Sequence, residues 1–314
     1  VPFGLRAMVM VARASENGLS DVHRALLYAA QKVILKTEIN IDQLSSIEPS
    51  ELAEHFTNHA LAEQLIRGMV VMSLAEGPAT TPHVEQIKAF ANALGVDEPA
   101  VKAIHYLAEK NILMFRLNFY RHSHIKDYIA NQYHGHGGFI GVIKGILGAT
   151  GLVEDQELAQ RFYNLEKLPK DTLGNHLFKQ HRDNGFFFPG EKGGFPIGAI
   201  FHDCGHILSG YDTSPEGEIL NAAFQSGYRK NTDAFFTLLF AVLIHTAGVN
   251  VAPFEMPKLL GRIGQDGIAE ELFKAVERGN AMNTDLGDNW DFWPFLELPL
   301  EEARNRLGIP AKKH

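Results

Sequence analysis

Residues 195–210 have the sequence FPIGAIFHDCGHILSG, and this stretch gives the strongest indication of the fold. Pro196 suits the first turn of a helix, and Gly210 suits a left-handed residue just beyond the last turn. We therefore predict one short helix across the segment.

The predicted helix has two chemically different faces. At about 100° per residue, His202, Asp203 and His206 fall on one narrow face. The opposite face is apolar and consists of Ile197, Ile200, Phe201, Cys204, Ile207 and Leu208. Cys204 is accordingly interpreted as a core residue rather than a ligand.

The polar face suggests a divalent-metal site. Two histidines four residues apart form a common chelating pair, and imidazole with carboxylate suits Zn²⁺, Fe²⁺ or Mn²⁺. The alternative is a surface helix on which these three side chains occur together by chance.

Glu218 is the fourth candidate ligand. The residues 213–216, Thr-Ser-Pro-Glu, resemble a helix start, so Glu218 falls in the first turn of the next helix. A tight turn at 210–212 would fold that helix back toward the histidines. Alternatively, Glu218 only complements the positive end of the helix dipole.

Other polar groups near the motif are weaker candidates. Tyr211 and Asp212 in the turn are candidates for groups that orient the ligands, and His245 is a candidate for the same role or a core histidine. His176 and His181 flank the motif helix.

Helical periodicity dominates the rest of the chain, which predicts an all-α fold with two domains, residues 1–125 and 126–314. A pattern of apolar helix, acidic-glycine loop and amphipathic helix occurs twice, with second helices at 21–33 and 83–94. Thr81 is the predicted cap of the latter. A long helix is expected over 99–120, and the glycines at 135–138 suggest a hinge.

The repeated hairpins resemble the TerB-like domain associated with tellurite resistance. That family carries acidic residues around its loops, linked there to metal binding, and here the positions are Glu16, Asp21, Glu76 and Glu85. The resemblance covers about 110 residues. It implies a regulatory or protein-interaction module, and a purely structural bundle is the equal alternative.

Composition narrows the classes of function. With a net charge of −8 and no run of Lys or Arg, the chain is not expected to bind nucleic acid. A single cysteine favours a reducing, cytoplasmic location. The apolar run 234–249 is shorter than the roughly 20 residues that span a bilayer, so we predict a core helix and no transmembrane segment. The 21 phenylalanines suggest either a bulky core or a surface that contacts lipid.

The motif His202-Asp203-x-x-His206, followed after eleven residues by Glu218, resembles the metal motif of the coenzyme Q (ubiquinone) biosynthesis protein four family. The similarity extends upstream through residues 168–178 and 183–186. It implies an all-helical domain that holds an isoprenoid lipid beside a divalent metal, foremost Zn²⁺, with Fe²⁺, Mn²⁺ or Mg²⁺ as alternatives.

The resemblance implies a metal-dependent lyase or oxidative decarboxylase acting on a prenylated or otherwise hydrophobic aromatic substrate. Two alternatives stay open: a non-catalytic isoprenoid-binding scaffold for a biosynthetic complex, and a metal-dependent hydrolase. Biosynthetic partner proteins, a homodimer and peripheral attachment to the inner membrane face belong to the same expectation.

Overall fold

The regular structure of the chain is helical. A computed structural model describes residues 1–14, 18–123, 154–194, 197–230, 234–251, 259–287 and 290–312. Within these ranges the β-type pairing is limited to two isolated bridges, Thr172 with Pro299 and Ala247 with Leu260. The prediction of an all-α fold is therefore confirmed.

The N-terminal half consists of short helices joined by turns and loops. Its α-helices are α1 (Pro2–Arg13), α2 (Asp21–Ala30), α3 (Pro49–His55), α4 (His59–Ser73), α5 (Thr81–Leu94), α6 (Pro99–Ala108) and α7 (Ile112–His122). A π-helical turn, Gln31–Leu35, continues α2 two residues beyond the predicted end at residue 33. The helices of the two predicted units are α1 with α2 and α4 with α5; α5 packs on α4, whereas α1 packs on α4 rather than on α2.

The second helix of each hairpin begins with the same cap. The Ser20 hydroxyl lies 2.9 Å from Nδ1 of His23, and the Thr80 hydroxyl lies 3.0 Å from Nδ1 of His83. The predicted cap at Thr81 is wrong by one residue, because Thr80 has the extended backbone of a cap and Thr81 is already helical.

The long helix expected over 99–120 is wrong. Lys110 adopts a left-handed conformation, with φ +57°, and ends α6. The Asn111 side chain then accepts a hydrogen bond from the backbone N–H of Met114 at 3.2 Å and starts α7. The segment is consequently a helical hairpin, α6–α7, rather than one rod.

The C-terminal half supplies the second set of helices. These are α8 (Gln156–Tyr163), α9 (Leu173–Asn184), α10 (Ile200–Ser209), α11 (Pro215–Tyr228), α12 (Ala234–His245), α13 (Ile268–Asn280), α14 (Trp293–Leu296) and α15 (Leu300–Leu307). Helix α11 lies between α12 and α13. It approaches α13 at Gly227, where an added Cβ atom would lie only 2.8 Å from the Cα of Gly279.

Side chains of both halves pack into one continuous hydrophobic core. The rings of Phe119 and Phe236 lie 5.2 Å apart, and Lys32 pairs with Glu270 at 2.8 Å. The predicted boundary at residue 125 and the glycines at 135–138 lie outside the described residues. The division into two domains therefore stays a prediction.

Helix α12 is a core helix, in agreement with the sequence. Phe236, Leu239, Val242 and Leu243 are fully buried. Among the described residues, no helix is both long enough and apolar enough to cross a membrane.

Candidate metal centre

The predicted motif helix forms as α10 and ends where the sequence indicates. Gly210 has φ +74° and accommodates the left-handed turn that follows Ser209. A 3-10 turn at Ile197–Ala199 leads into the helix, and the predicted start at Pro196 lies outside the described residues. Helix α10 is thus fixed at the end that carries His206.

Two arginines also hold this end of α10. Arg304 donates to the carbonyl oxygens of Ile207 and Leu208 at 2.8 and 3.0 Å, and Arg278 donates to that of Ser209 at 2.6 Å. Cations at the carboxyl end of a helix satisfy its free carbonyls and complement its dipole.

The turn after Gly210 folds α11 back against α10, as predicted. Ser214 caps α11 by accepting the backbone N–H of Gly217 at 3.1 Å. Gly217 has no room for a side chain, because a Cβ atom there would overlap the carbonyl oxygen of Asp212. The first turn of α11 therefore brings Glu218 beside the two histidines.

Three of the four predicted ligands converge. The Glu218 carboxylate lies 3.0 Å from Nε2 of His202 and 3.2 Å from Nε2 of His206, and the two Nε2 atoms are 3.1 Å apart. In the described part of the chain, no other group of three such side chains clusters in this way. Glu218 therefore contacts both histidines, in addition to placing a negative charge in the first turn of α11.

The cluster fits a divalent ion. Ligand atoms about 2.0–2.2 Å from one ion lie roughly 3–3.6 Å from each other in octahedral or tetrahedral geometry, which matches these separations. Two imidazole nitrogens and a carboxylate also form the donor set of open-sided metal centres.

Each histidine has a partner for its second ring nitrogen. Nδ1 of His206 lies 3.2 Å from the carbonyl oxygen of Tyr211, and a proton on Nδ1 leaves Nε2 free to bind a metal. Nδ1 of His202 lies 3.4 Å from Nε2 of the Gln225 side chain, and the Gln225 amide must turn its oxygen toward Nδ1 to accept a proton there when Nε2 of His202 binds a metal. Tyr211 thus contacts His206 through its backbone carbonyl, and its predicted orienting role stays a prediction.

The ionisation of His202 and that of Glu218 depend strongly on each other. Desolvation lowers the pKa of His202, but the Glu218 carboxylate outweighs it and raises that pKa to about 9. Burial raises the pKa of Glu218, yet His202 and His206 hold it well below its usual range. Without a metal ion, the protonated His202 ring therefore supplies the positive charge that balances the Glu218 carboxylate.

Asp203 lies outside this three-residue cluster. Its carboxylate accepts from Nε2 of His181 at 3.0 Å, and the His181 ring stacks on Phe188 with centroids 4.5 Å apart. The ligand role predicted for Asp203 stays a prediction, whereas its partnership with His181, a residue of α9, went unpredicted.

Asp212 and His245 have different relationships to the cluster. Asp212 accepts from the backbone N–H of Ser214 at 3.0 Å and so shapes the turn. Burial lowers the pKa of His245, and the charge of Glu218 opposes that effect. Nδ1 of His245 is buried without a hydrogen-bond partner among the described residues.

Two buried amides complete the surroundings of His202. Asn221 donates to the His202 carbonyl at 3.4 Å, and Gln225 contacts the ring. Sequence reasoning missed both, although positions three and seven residues after Glu218 share its face on a helix. That spacing could have indicated that both amides lie near the predicted ligands.

The cluster is buried on one side and accessible on the other. The His206 side chain is 2% exposed, whereas that of His202 is 37% exposed. Two exposed rings, Phe186 and Phe187, follow α9, and the Phe186 ring lies 5.9 Å from that of His181. Exposed aromatic surface therefore lies next to His181, the residue that contacts Asp203.

Cys204 is fully buried on the apolar face, as predicted, and burial raises the pKa of its thiol far above the usual range. Of the acidic residues in the TerB-like resemblance, Glu16 lies outside the described residues. Asp21, Glu76 and Glu85 take part in no metal-type cluster within the described ranges.

No model of a protein family matches the chain, and no curated protein is significantly similar to it. The two family resemblances therefore stay predictions made from the motifs.

Proposed function

We propose that this chain is a metal-dependent enzyme of the ubiquinone-biosynthesis type, which decarboxylates or oxygenates a prenylated or otherwise hydrophobic aromatic acid. His202, His206 and Glu218 would hold the metal. The observation that supports this most is the convergence of their three donor atoms within 3.0–3.2 Å on an accessible side of the fold.

A three-residue donor set favours catalysis over a purely structural metal. Structural zinc sites usually have four protein ligands, whereas catalytic sites keep a position for water or substrate. A divalent cation bound here would supply Lewis acidity toward a substrate carboxylate and the adjacent phenol oxygen.

The surrounding side chains match a hydrophobic substrate. Phe186 and Phe187 would contact its apolar part, because both rings are exposed beside α9. In decarboxylation, the bond from the ring carbon to the carboxyl carbon breaks, carbon dioxide leaves, and the ring carbon keeps the electron pair and takes a proton. In the oxygenating version the ring carbon instead bonds to one oxygen atom of dioxygen, and a two-electron donor reduces the other oxygen atom to water.

The test combines metal analysis with turnover of a prenylated aromatic acid by the purified chain. His202→Ala and Glu218→Ala should abolish metal retention and release of carbon dioxide while lipid binding persists. His59→Ala is the matched control, because His59 forms an exposed pair with Glu63 at 3.3 Å. That variant should behave as the wild type.

The scaffold alternative has one supporting observation, the exposed pair Phe186 and Phe187. It predicts that the metal-loaded chain binds the lipid without turnover and that Phe187→Ser removes this binding. The hydrolase alternative has less support, because the described cluster contains a single carboxylate. Release of phosphate from simple phosphoesters would favour it.

A further inference from the structure

Helix α7 exposes an apolar stripe that no other described element covers. Leu113 is 69% exposed and Leu117 is 55% exposed, and Met114, 39% exposed, lies beside Leu117 on the same side of the helix. The opposite face is buried through Phe115 and Phe119. The helix is thus anchored by one face, and among the described residues nothing covers its outer face.

Positive charge borders this stripe at both ends. Lys110 immediately precedes α7 and Arg121 lies in its last turn, and both are exposed. Neither makes an ion pair with a described residue. Arg116, the third cation, instead donates to the carbonyl of Asn250 at 3.4 Å.

The local charge contrasts with that of the whole chain. Residues 110–123 contain three cations and no carboxylate, whereas the chain has a net charge of −8. An acidic protein is repelled by an anionic surface, so a segment with exposed cations and apolar side chains is where it can approach one.

We propose that the outer face of α7 is a docking surface for an anionic lipid bilayer. Leu113, Met114 and Leu117 would enter the boundary between headgroups and acyl chains, while Lys110 and Arg121 contact lipid phosphates. Interfacial helices combine apolar and basic residues in this way. The proposal uses residues outside the metal centre, so it does not depend on the proposed function.

The experiment is co-sedimentation of the full chain with vesicles of phosphatidylcholine and phosphatidylglycerol in about a three-to-one ratio, compared with phosphatidylcholine alone. Binding to the anionic vesicles should be stronger and should weaken with salt. The double variant L113Q/L117Q should lower the partition coefficient at least about tenfold. K110E/R121E should lower it by about tenfold or more, since each basic residue contributes about fivefold.

Matched controls separate this face from general effects. Leu61→Gln removes a leucine that is 53% exposed on α4, and K170E/K192E makes the same change in net charge at two other exposed lysines. Both should bind vesicles nearly as the wild type does. Far-ultraviolet circular dichroism checks that every variant keeps its helices.

Three results would overturn the proposal. One is equal binding of the wild type to neutral and anionic vesicles. Another is a loss of binding in the two controls as large as that in the α7 variants. The third is a wild-type dimer that L113Q/L117Q converts to a monomer with vesicle binding unchanged, which would make this face a subunit contact.

Discussion

The backbone of Gly205 lies against the side chain of Gln225, and a Cβ atom at position 205 would stand 2.7 Å from Gln225 Nε2. The same atom would stand 3.1 Å from Oδ1 of Asn221. Glycine therefore sets the distance between α10 and α11, and this distance brings Glu218 to the two histidines.

Gly205→Ala should separate the two helices and weaken the metal centre. We expect a loss of about 1–3 kcal/mol in the free energy of unfolding, because an extra methyl group overpacks this contact. Metal affinity should fall as well. Denaturant unfolding and metal titration measure both effects, with Gly77→Ala as the control, since nothing lies within 4 Å of a Cβ atom there. Wild-type metal affinity in Gly205→Ala would contradict this view of the spacing.

Gln225 orients His202, so its removal should affect the metal more than the fold. Gln225→Ala should weaken metal binding by about 10–100-fold, the usual cost of losing a group that holds a ligand in place. Gln225→Glu should restore most of the affinity, because its carboxylate can accept a proton on Nδ1.

The control for this prediction is Gln160→Ala on α8, where the side chain is exposed. Isothermal titration with Zn²⁺ measures all three affinities. An affinity of Gln225→Ala equal to that of Gln160→Ala would show that the amide does not orient the ring.

Local sequence signals predicted much of the metal centre. The helical angles of His202 and His206, the Gly210 terminus and the turn into α11 depend on residues close together in sequence, and each is present. Glu218 follows from that turn. The end of α10, by contrast, is held by Arg278 and Arg304, which lie far along the chain and carried no local signal.

The errors and omissions arise from tertiary contacts. The contact of the Asp203 carboxylate with His181 of α9 is an omission, because the motif gives no information on that packing, and the ligand role of Asp203 stays a prediction. The break at Lys110 is comparable. Helix propensity favours continuing through 99–120, yet the left-handed Lys110 lets α7 return along α6 and bury Phe115 and Phe119.

Metal binding should release a proton near neutral pH. Because the pKa of His202 is raised to about 9 without metal, its ring is charged at pH 7 and must lose the proton to bind a metal. Affinity should rise about tenfold per pH unit up to about pH 9. Titration in buffers of different ionisation enthalpy measures the protons released, and about one is expected at pH 7. A pH-independent affinity would contradict the pairing of His202 with Glu218.

The same shift gives the metal-free protein a defined pH dependence. A histidine whose pKa is raised on folding stabilises fully below its unfolded value of 6.5, and this contribution disappears as pH rises toward 9. Glu218 acts in the opposite sense, because its lowered pKa stabilises above 4.5 and the contribution is lost as pH falls. Excess metal should reduce the fall in the free energy of unfolding at high pH. His202→Ala should remove that fall.

The two buried cap histidines should make the fold sensitive to mild acid. Burial lowers the pKa of both His23 and His83, although the charge of Glu76 opposes this effect at each. The unfolded chain therefore takes up protons first as pH falls below 6.5, so stability is present above that value and is lost below it. This pH range is separate from the range of His202, whose contribution to stability changes above pH 6.5.

The double variant H23Q/H83Q should flatten this acid-side loss. Glutamine is an ordinary third-position residue after a Ser or Thr cap, so both helix starts can keep their hydrogen bonds. Urea unfolding between pH 5 and 7.5 measures the slope, and His59→Gln on the surface is the control. If the double variant loses stability with acid as steeply as His59→Gln does, the protons are taken up elsewhere. A flatter slope in the double variant would show that the acid-side loss of stability comes from His23 and His83, the equivalent buried positions of the two repeats.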